Sequence, residues 1–189
     1  MIHGGALMTT ARVVETDMVI AGMGPTVLVM ANLLGKQGIR VEVIDKRDRL
    51  IDYPRGVGMD DESYRTVQAM GLLDEFETFT IPHHVMRIVN GHDELIMKNG
   101  PQGRPFGHAR KFGFIQPLVD NAMYEGVARY ECVNATFGRE LVELVDHGAG
   151  KGITATVAHV TGEDGEERTG ETTVIRAKYL VGAEGVKSF

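Results

Sequence analysis

The sequence predicts an α/β fold in which a parallel sheet and an antiparallel β-meander share one chain. Three observations predict it. Residues 17–21 form a short apolar, partly β-branched run that breaks at Gly22-Met-Gly-Pro25 and gives way to apolar residues at helical spacing, the pattern of a buried strand feeding a helix. A second such run, residues 40–45, follows after one crossover, so the two strands are parallel. From Ala135 to Ala177 the chain is β-like, with short Gly-rich and acidic turns between strands near 140–145, 153–160 and 172–176; three close strands with short turns make a meander.

Each element has a local reason. Pro25 suits the first turn of the crossover helix, where its missing N–H has no partner to lose. Val27, Leu28, Ala31 and Leu34 mark its buried face, and Gly35 and Gly38 are expected to end it. Residues 46–59 lack periodicity and read as loop. Asp60 is the expected N-cap of a second helix, with Asp61 and Glu62 at its positive end. Tyr64, Val67 and Met70 form its stripe, Gly71 closes it, and another turn runs through Leu72, Leu73 and Phe76. Residues 85–89 and 95–98 read as two strands around Asn90-Gly-His-Asp93, and 99–111 as a Gly/Pro/Arg-rich loop. A helix is expected over 116–129, with Leu118, Ala122 and Val127 facing inward. The final strand, 179–182, runs into Ala183-Glu-Gly185.

Composition narrows the function. A chain of 189 residues holds one domain with its own core, or a domain and a small satellite. Its 43% hydrophobic and 24% charged content is that of a globular protein. A net charge of −6 leaves no basic surplus for nucleic acid or an anionic membrane. Residues 18–34 are uncharged but fall short of the roughly 20 apolar residues a bilayer needs, and glycine, proline and asparagine interrupt them, so no membrane span is expected. The one cysteine, Cys132, excludes an internal disulfide and fits a cytoplasmic setting. Residues 1–12 lack a signal-peptide pattern and are expected to be loose.

Three motifs carry chemistry. Gly22-Met-Gly24-Pro25-Thr26-Val27 lies between a strand and a helix, and Asp45 ends the next strand. The first glycine permits the tight turn, the second lets backbone approach a diphosphate, and the helix N-terminus presents N–H groups to it. Asp45 can accept hydrogen bonds from ribose hydroxyls. Val27 occupies the third glycine position, where bulk is expected to hold the helix off the strand or weaken binding. The second motif, Tyr53-Pro-Arg55-Gly-Val-Gly58-Met-Asp-Asp-Glu62, sets an arginine in a glycine loop, where it can pair with phosphate. Lys46 and Arg47 also stand near the acid end of the second strand; both are expected at the surface, with Lys46 kept among the candidates for the cofactor. The third, Gly182-Ala-Glu184-Gly185, sets a carboxylate at the carboxyl edge of the sheet, where open α/β sheets bind ligands.

Together these segments, with Phe114-Ile-Gln116-Pro117, resemble the class A flavin-dependent aromatic hydroxylases, the p-hydroxybenzoate-hydroxylase-like group. The likeness is nearest to the branch containing the 3-(3-hydroxyphenyl)propionate hydroxylases and runs from about Thr16 to Ser188. It implies a Rossmann-like FAD-binding fold over residues 13–189, with 80–112 part of a small substrate-domain sheet. By resemblance Gly22, Gly24 and Asp45 hold the ADP portion of FAD, with Pro25 and Thr26 at the helix start. Arg55 and Gln116 lie near the flavin, and Gly182, Glu184 and Gly185 form a turn associated with FAD and NAD(P)H. Glu184 stands where the family has aspartate, and Lys187 where arginine is usual. The chemistry implied is the cofactor's: NAD(P)H reduces FAD, O₂ reacts with the reduced flavin, and one oxygen enters a small phenolic substrate. No general acid or base is assigned. Family members are longer, so the sequence is expected to be the N-terminal part of such an enzyme, whose full-length form is a candidate homo-oligomer.

Other candidates are weaker. His83, His84 and His92 lack companions at metal-ligand spacing, and no metal is expected. Gly150-Lys151-Gly152 lacks the remainder of a phosphate loop. Asn134-Ala-Thr136 has no secretory context for glycosylation. An NAD(P)-dependent dehydrogenase would need a dyad such as Tyr-x-x-x-Lys, which is missing. A noncatalytic remnant of the flavin fold is the alternative that Val27 and Glu184 favour.

Overall fold

A computed structural model describes residues 12–185; the expectations for residues 1–11 and for Lys187 and Ser188 fall outside them. The chain enters through β1 (Arg12–Glu15), passes Thr16 and Asp17, and forms β2 (Met18–Ala21). Helix α1 (Pro25–Lys36) crosses to β3 (Val41–Ile44). β2 and β3 pair in parallel, Met18 with Val41 through Ala21 with Ile44, as the crossover requires. Next come β4 (Gly58–Asp60), α2 (Asp61–Met70), α3 (Leu73–Glu77) and β5 (Ile81–Pro82). A hairpin of β6 (Met86–Val89) and β7 (Leu95–Asn99) leads to β8 (Lys111–Gly113) and α4 (Gln116–Val127). The chain finishes with β9 (Val133–Thr136), β10 (Arg139–Asp146), β11 (Ile153–Thr161), β12 (Glu167–Ala177) and β13 (Tyr179–Gly182).

Two sheets build the body. The parallel sheet has the order β13-β2-β3-β9, and the meander β12-β11-β10 gains β1 as a fourth strand. Strand alternation assigns the layers. Val19 and Ala21 point to the meander and pack with Leu141, Ala155, Val157 and Ile175. Ile20, Val41 and Val43 point the other way, to a core with Val27, Leu28 and Ala31 of α1, Tyr64 and Val67 of α2, and Met123 and Val127 of α4.

Several expectations need correction. Leu118, expected to face inward, is 43% exposed, because Val119 and Met123 take the buried face of α4, and the loop expected over 46–59 gives way to β4 at Gly58. β1 and β9 are strands that local pattern did not reveal; both are short edge strands whose pairing comes from distant partners, β12 and β3. The loop expected over 99–111 yields at Lys111 to β8, which pairs with both β4 and β5. β12 begins at Glu167, before a register shift between Ala158 and Val160 of β11. Gly35 does not end α1: it is buried inside the helix, where an added Cβ would meet the Tyr130 ring at 2.6 Å, so it serves close packing instead. Asp60 caps α2 as expected, accepting from the Ser63 N–H at 2.8 Å.

Val27 is accommodated in the core at 1% exposure. α1 meets α4 through Asn32, which is fully buried and fully served. Its Nδ2 donates to the Leu28 carbonyl at 2.9 Å and the Met123 carbonyl at 2.8 Å, and its Oδ1 accepts from Arg129 Nη2 at 3.1 Å. Gly126 permits the approach, because a Cβ there would lie 2.8 Å from that Oδ1. Asn32→Ala should therefore cost about 2–4 kcal/mol, since it removes three hydrogen bonds at a fully buried position and opens a cavity between α1 and α4; denaturant unfolding checks it.

Asp17 fastens the turn between the sheets. It accepts from Arg40 Nε at 3.0 Å and Nη2 at 3.3 Å and pairs with Lys178 Nζ at 2.8 Å. These partners, Arg40 first, hold its carboxyl far below the usual carboxylate range. A folded pKa below the unfolded value stabilises above the unfolded pKa, about 4, and that contribution fades as pH falls below it. Wild-type stability should therefore drop more steeply than that of Asp17→Asn below about pH 4, and salt should shrink the difference. Urea unfolding at several pH values measures both.

Candidate cofactor-binding site

The parallel register places Gly182, Ala21, Ile44 and Thr136 side by side at the carboxyl ends of their strands. A cleft of about 240 Å³ opens there. Gly22 leaves β2 at φ +112, its N–H donating to the Ile44 carbonyl at 2.7 Å. A side chain at Gly22 has no room, because its Cβ would stand 2.5 Å from the Ala183 oxygen. The first and third glycine motifs are thus in contact. Gly24 is the N-cap of α1, with ordinary φ −79 and no side-chain cap, and its Cβ position meets nothing within 4 Å. The Thr26 and Val27 N–H groups have no intrahelical acceptor at that end. Open space at Gly24, beside the N–H groups that open the helix, fits a diphosphate.

Asp45 lines the same cleft. Its Oδ1 accepts from the Arg47 N–H at 2.8 Å, and Oδ2 has no hydrogen-bond partner among the described residues. Arg47 and Arg49 also line the cleft, tethered to Asp164 at 3.1 Å and Glu163 at 2.7 Å on the turn between β11 and β12. Leu50, Ile51 and Met23 add apolar wall.

Arg55 arrives by a longer route. Pairing of Gly58 with Gly113 lays the 53–58 loop beside the start of α4. The Arg55 N–H donates to Gln116 Oε1 at 2.8 Å, and its Nη2 donates to Asp120 Oδ2 at 3.2 Å. Burial pushes the Asp120 carboxyl up, against the opposing pull of Arg55 and Gln116. A second, apolar cavity of about 420 Å³ lies between α1, α2 and α4 and shares Pro25, Arg55 and Asp120 with the cleft.

The cleft brings together Gly22, Gly24, Pro25, Thr26, Asp45, Arg55, Glu184 and Gly185. Gln116 lines the apolar cavity instead. Lys46 and Gly182 are outside the cleft lining; the Lys46 carbonyl is packed on the turn at Gly165. Sequence reasoning missed Arg49 and Asp120 and set Arg47 at the surface. The arginine cluster after Asp45 was a visible signal; Asp120 gave none beyond its place one helical turn after Gln116. Among the described residues no cluster of three or more His, Cys, Asp or Glu could hold a metal ion, and no helix is long and apolar enough to cross a membrane.

A parallel-sheet crossover with its glycine loop, acid and arginines at the carboxyl edge defines a dinucleotide-binding α/β protein. Residues 15–189 match the family described as FAD binding domain, and the chain belongs to that family. Among curated relatives it is 38% identical over 174 residues to a 3-(3-hydroxy-phenyl)propionate/3-hydroxycinnamic acid hydroxylase of Mycobacterium sp. (strain JLS). It is 42% identical over 174 residues to the enzyme of that name from Comamonas testosteroni. Each alignment covers 92% of this chain and 28% of the relative, so the chain spans little more than a quarter of their length. Among solved structures, p-nitrophenol 4-monooxygenase PnpA from Pseudomonas putida DLL-E4 shares the fold at a TM-score of 0.79 and 21% identity, over 94% of this chain and 42% of that one. Aklavinone-11 hydroxylase, solved with FAD and aklavinone, superposes at 0.73 with 26% identity, over 92% of this chain and 34% of its own. The expected fold class and the flavin family are thereby borne out.

Proposed function

We propose that the chain is the FAD-binding portion of a flavin-dependent monooxygenase that hydroxylates a small phenolic aromatic acid with NAD(P)H and O₂. The observation that carries this reading is the single cleft in which Gly22, Gly24, Asp45 and Gly185 meet at the carboxyl ends of parallel strands. The names of the relatives at 38% and 42% identity support the substrate class. FAD, when bound, supplies the redox and oxygen-transfer chemistry. The chain's own residues bind and orient. The N–H groups opening α1 hold the diphosphate, Asp45 accepts from a ribose hydroxyl, and Arg55 supplies positive charge beside the phosphates. Lys46, Gln116, Gly182, Glu184 and Gly185 complete the proposed cofactor surroundings. Residues 80–112 belong to the substrate-binding portion, a reading supported by the β6–β7 hairpin, whose Ile88, Leu95, Ile96 and Met97 are all exposed. Cys132 as the lone cysteine supports a cytoplasmic location.

Titration of the purified chain with FAD tests this reading. Flavin fluorescence should change saturably. The unfolding midpoint should rise by the amount mass action gives, about 2.7 kcal/mol of stabilisation at a hundredfold excess over Kd. A chain that neither retains nor responds to FAD refutes it.

A further inference from the structure

Asp120 is a poor choice for stability alone. It lies in α4 at 2% exposure, and only one of its oxygens is served. Oδ2 accepts from Arg55 Nη2 at 3.2 Å and from Gln116 Nε2 at 3.3 Å, while Oδ1 is buried without a partner among the described residues. An unpaired buried carboxylate oxygen is costly, and apolar side chains commonly replace buried ion pairs without loss of stability. A polar group kept in such a place calls for an explanation beyond packing.

Its position supplies one. Asp120 and Arg55 line both the cleft and the apolar cavity, at the partition between them. Arg55 is pinned twice, by its main-chain N–H on Gln116 and by its head group on Asp120. Among the described residues only Nη2 of the guanidinium is engaged, and the Arg55 side chain remains 37% exposed while that of Asp120 is 3% exposed. The other N–H donors are therefore available to an anion in the cleft.

We propose that Asp120 is a positioning residue, which holds the Arg55 guanidinium at this partition, ordered in advance for the diphosphate of the bound dinucleotide. The inference rests on the FAD reading above and adds a residue that none of the glycine motifs contains. Arginine has many rotamers, and ordering them before the ligand arrives removes that entropy cost from binding.

The test is a double-mutant cycle on the full chain, read as the Kd for FAD by fluorescence titration. Asp120→Asn should weaken FAD binding about tenfold, Arg55→Gln at least as much, and the double variant no more than Arg55→Gln alone. Additive losses would assign Asp120 a purely structural role, and unchanged or tighter binding by Asp120→Asn would make it irrelevant or a competitor of phosphate; each overturns the proposal. Should Asp120→Asn fail to fold, the Arg55 Nε–H resonance of the wild type, assigned by its loss in Arg55→Gln, gives the answer. A motionally restricted signal that shifts on FAD addition supports the proposal, and a mobile guanidinium refutes it. Wild-type protein that binds no FAD refutes the functional reading itself, whereas tight FAD binding insensitive to Asp120 refutes only the positioning role.

Discussion

Replacing Gly24 by aspartate is expected to abolish FAD binding, with an affinity loss of at least about a hundredfold, while the apo chain stays as stable as wild type or gains a few tenths of a kcal/mol. The two halves of this result have separate causes. Gly24 has an ordinary φ of −79 and no atom within 4 Å of where its Cβ would stand, so a side chain fits. It is also the N-cap of α1, where an aspartate oxygen can accept from the N–H groups of the first turn. Those are the groups proposed to bind the diphosphate. A carboxylate there occupies the donors and repels the ligand, so folding and binding draw on the same N–H groups. Thermal unfolding of the apo protein and an FAD titration read the halves independently. Retained FAD affinity would place the diphosphate elsewhere.

Gly22→Val should fail in the opposite manner, losing about 3–5 kcal/mol of stability and FAD retention along with it. Gly22 sits at φ +112, a conformation closed to a β-branched residue. Its Cβ would lie 2.5 Å from the backbone oxygen of Ala183. Backbone cannot yield as a side chain can, so the turn after β13 must separate from the turn after β2. For a chain of this size the midpoint should fall by about 6–20 °C, measurable by circular dichroism in the absence of any ligand. On the proposed reading, two glycines separated by one residue have different duties, one to leave room for the fold and the other to leave donors for the ligand.

The candidate site was legible where chemistry and local pattern coincide. Gly22, Gly24 and Pro25 break a strand and start a helix in successive residues, and Asp45 ends the next strand, so their meeting follows from the crossover alone. Gly182 to Gly185 could be set at the sheet edge, yet its contact with Gly22 depends on β13 pairing beside β2. Asp120 was illegible because an aspartate in the second turn of an amphipathic helix looks like solvent-facing polarity. Only the pairing of β4 with β8 brings Arg55 to it. Gly35 misled for a related reason: glycine near a helix end signals termination, but here its missing side chain makes room for Tyr130.

By itself the sequence determined the β–α–β unit, the helix over 61–70 and the antiparallel meander, because side-chain periodicity and turn chemistry act over a few residues. Tertiary structure alone decided that β1 joins the meander beside β12, that β9 closes the parallel sheet, and that Arg47, Arg49 and Asp120 share the cleft with Asp45. Those outcomes depend on hydrogen bonds and charges that meet across long stretches of chain. A short edge strand or a single buried carboxylate has no local signature, since what distinguishes it is the partner it finds.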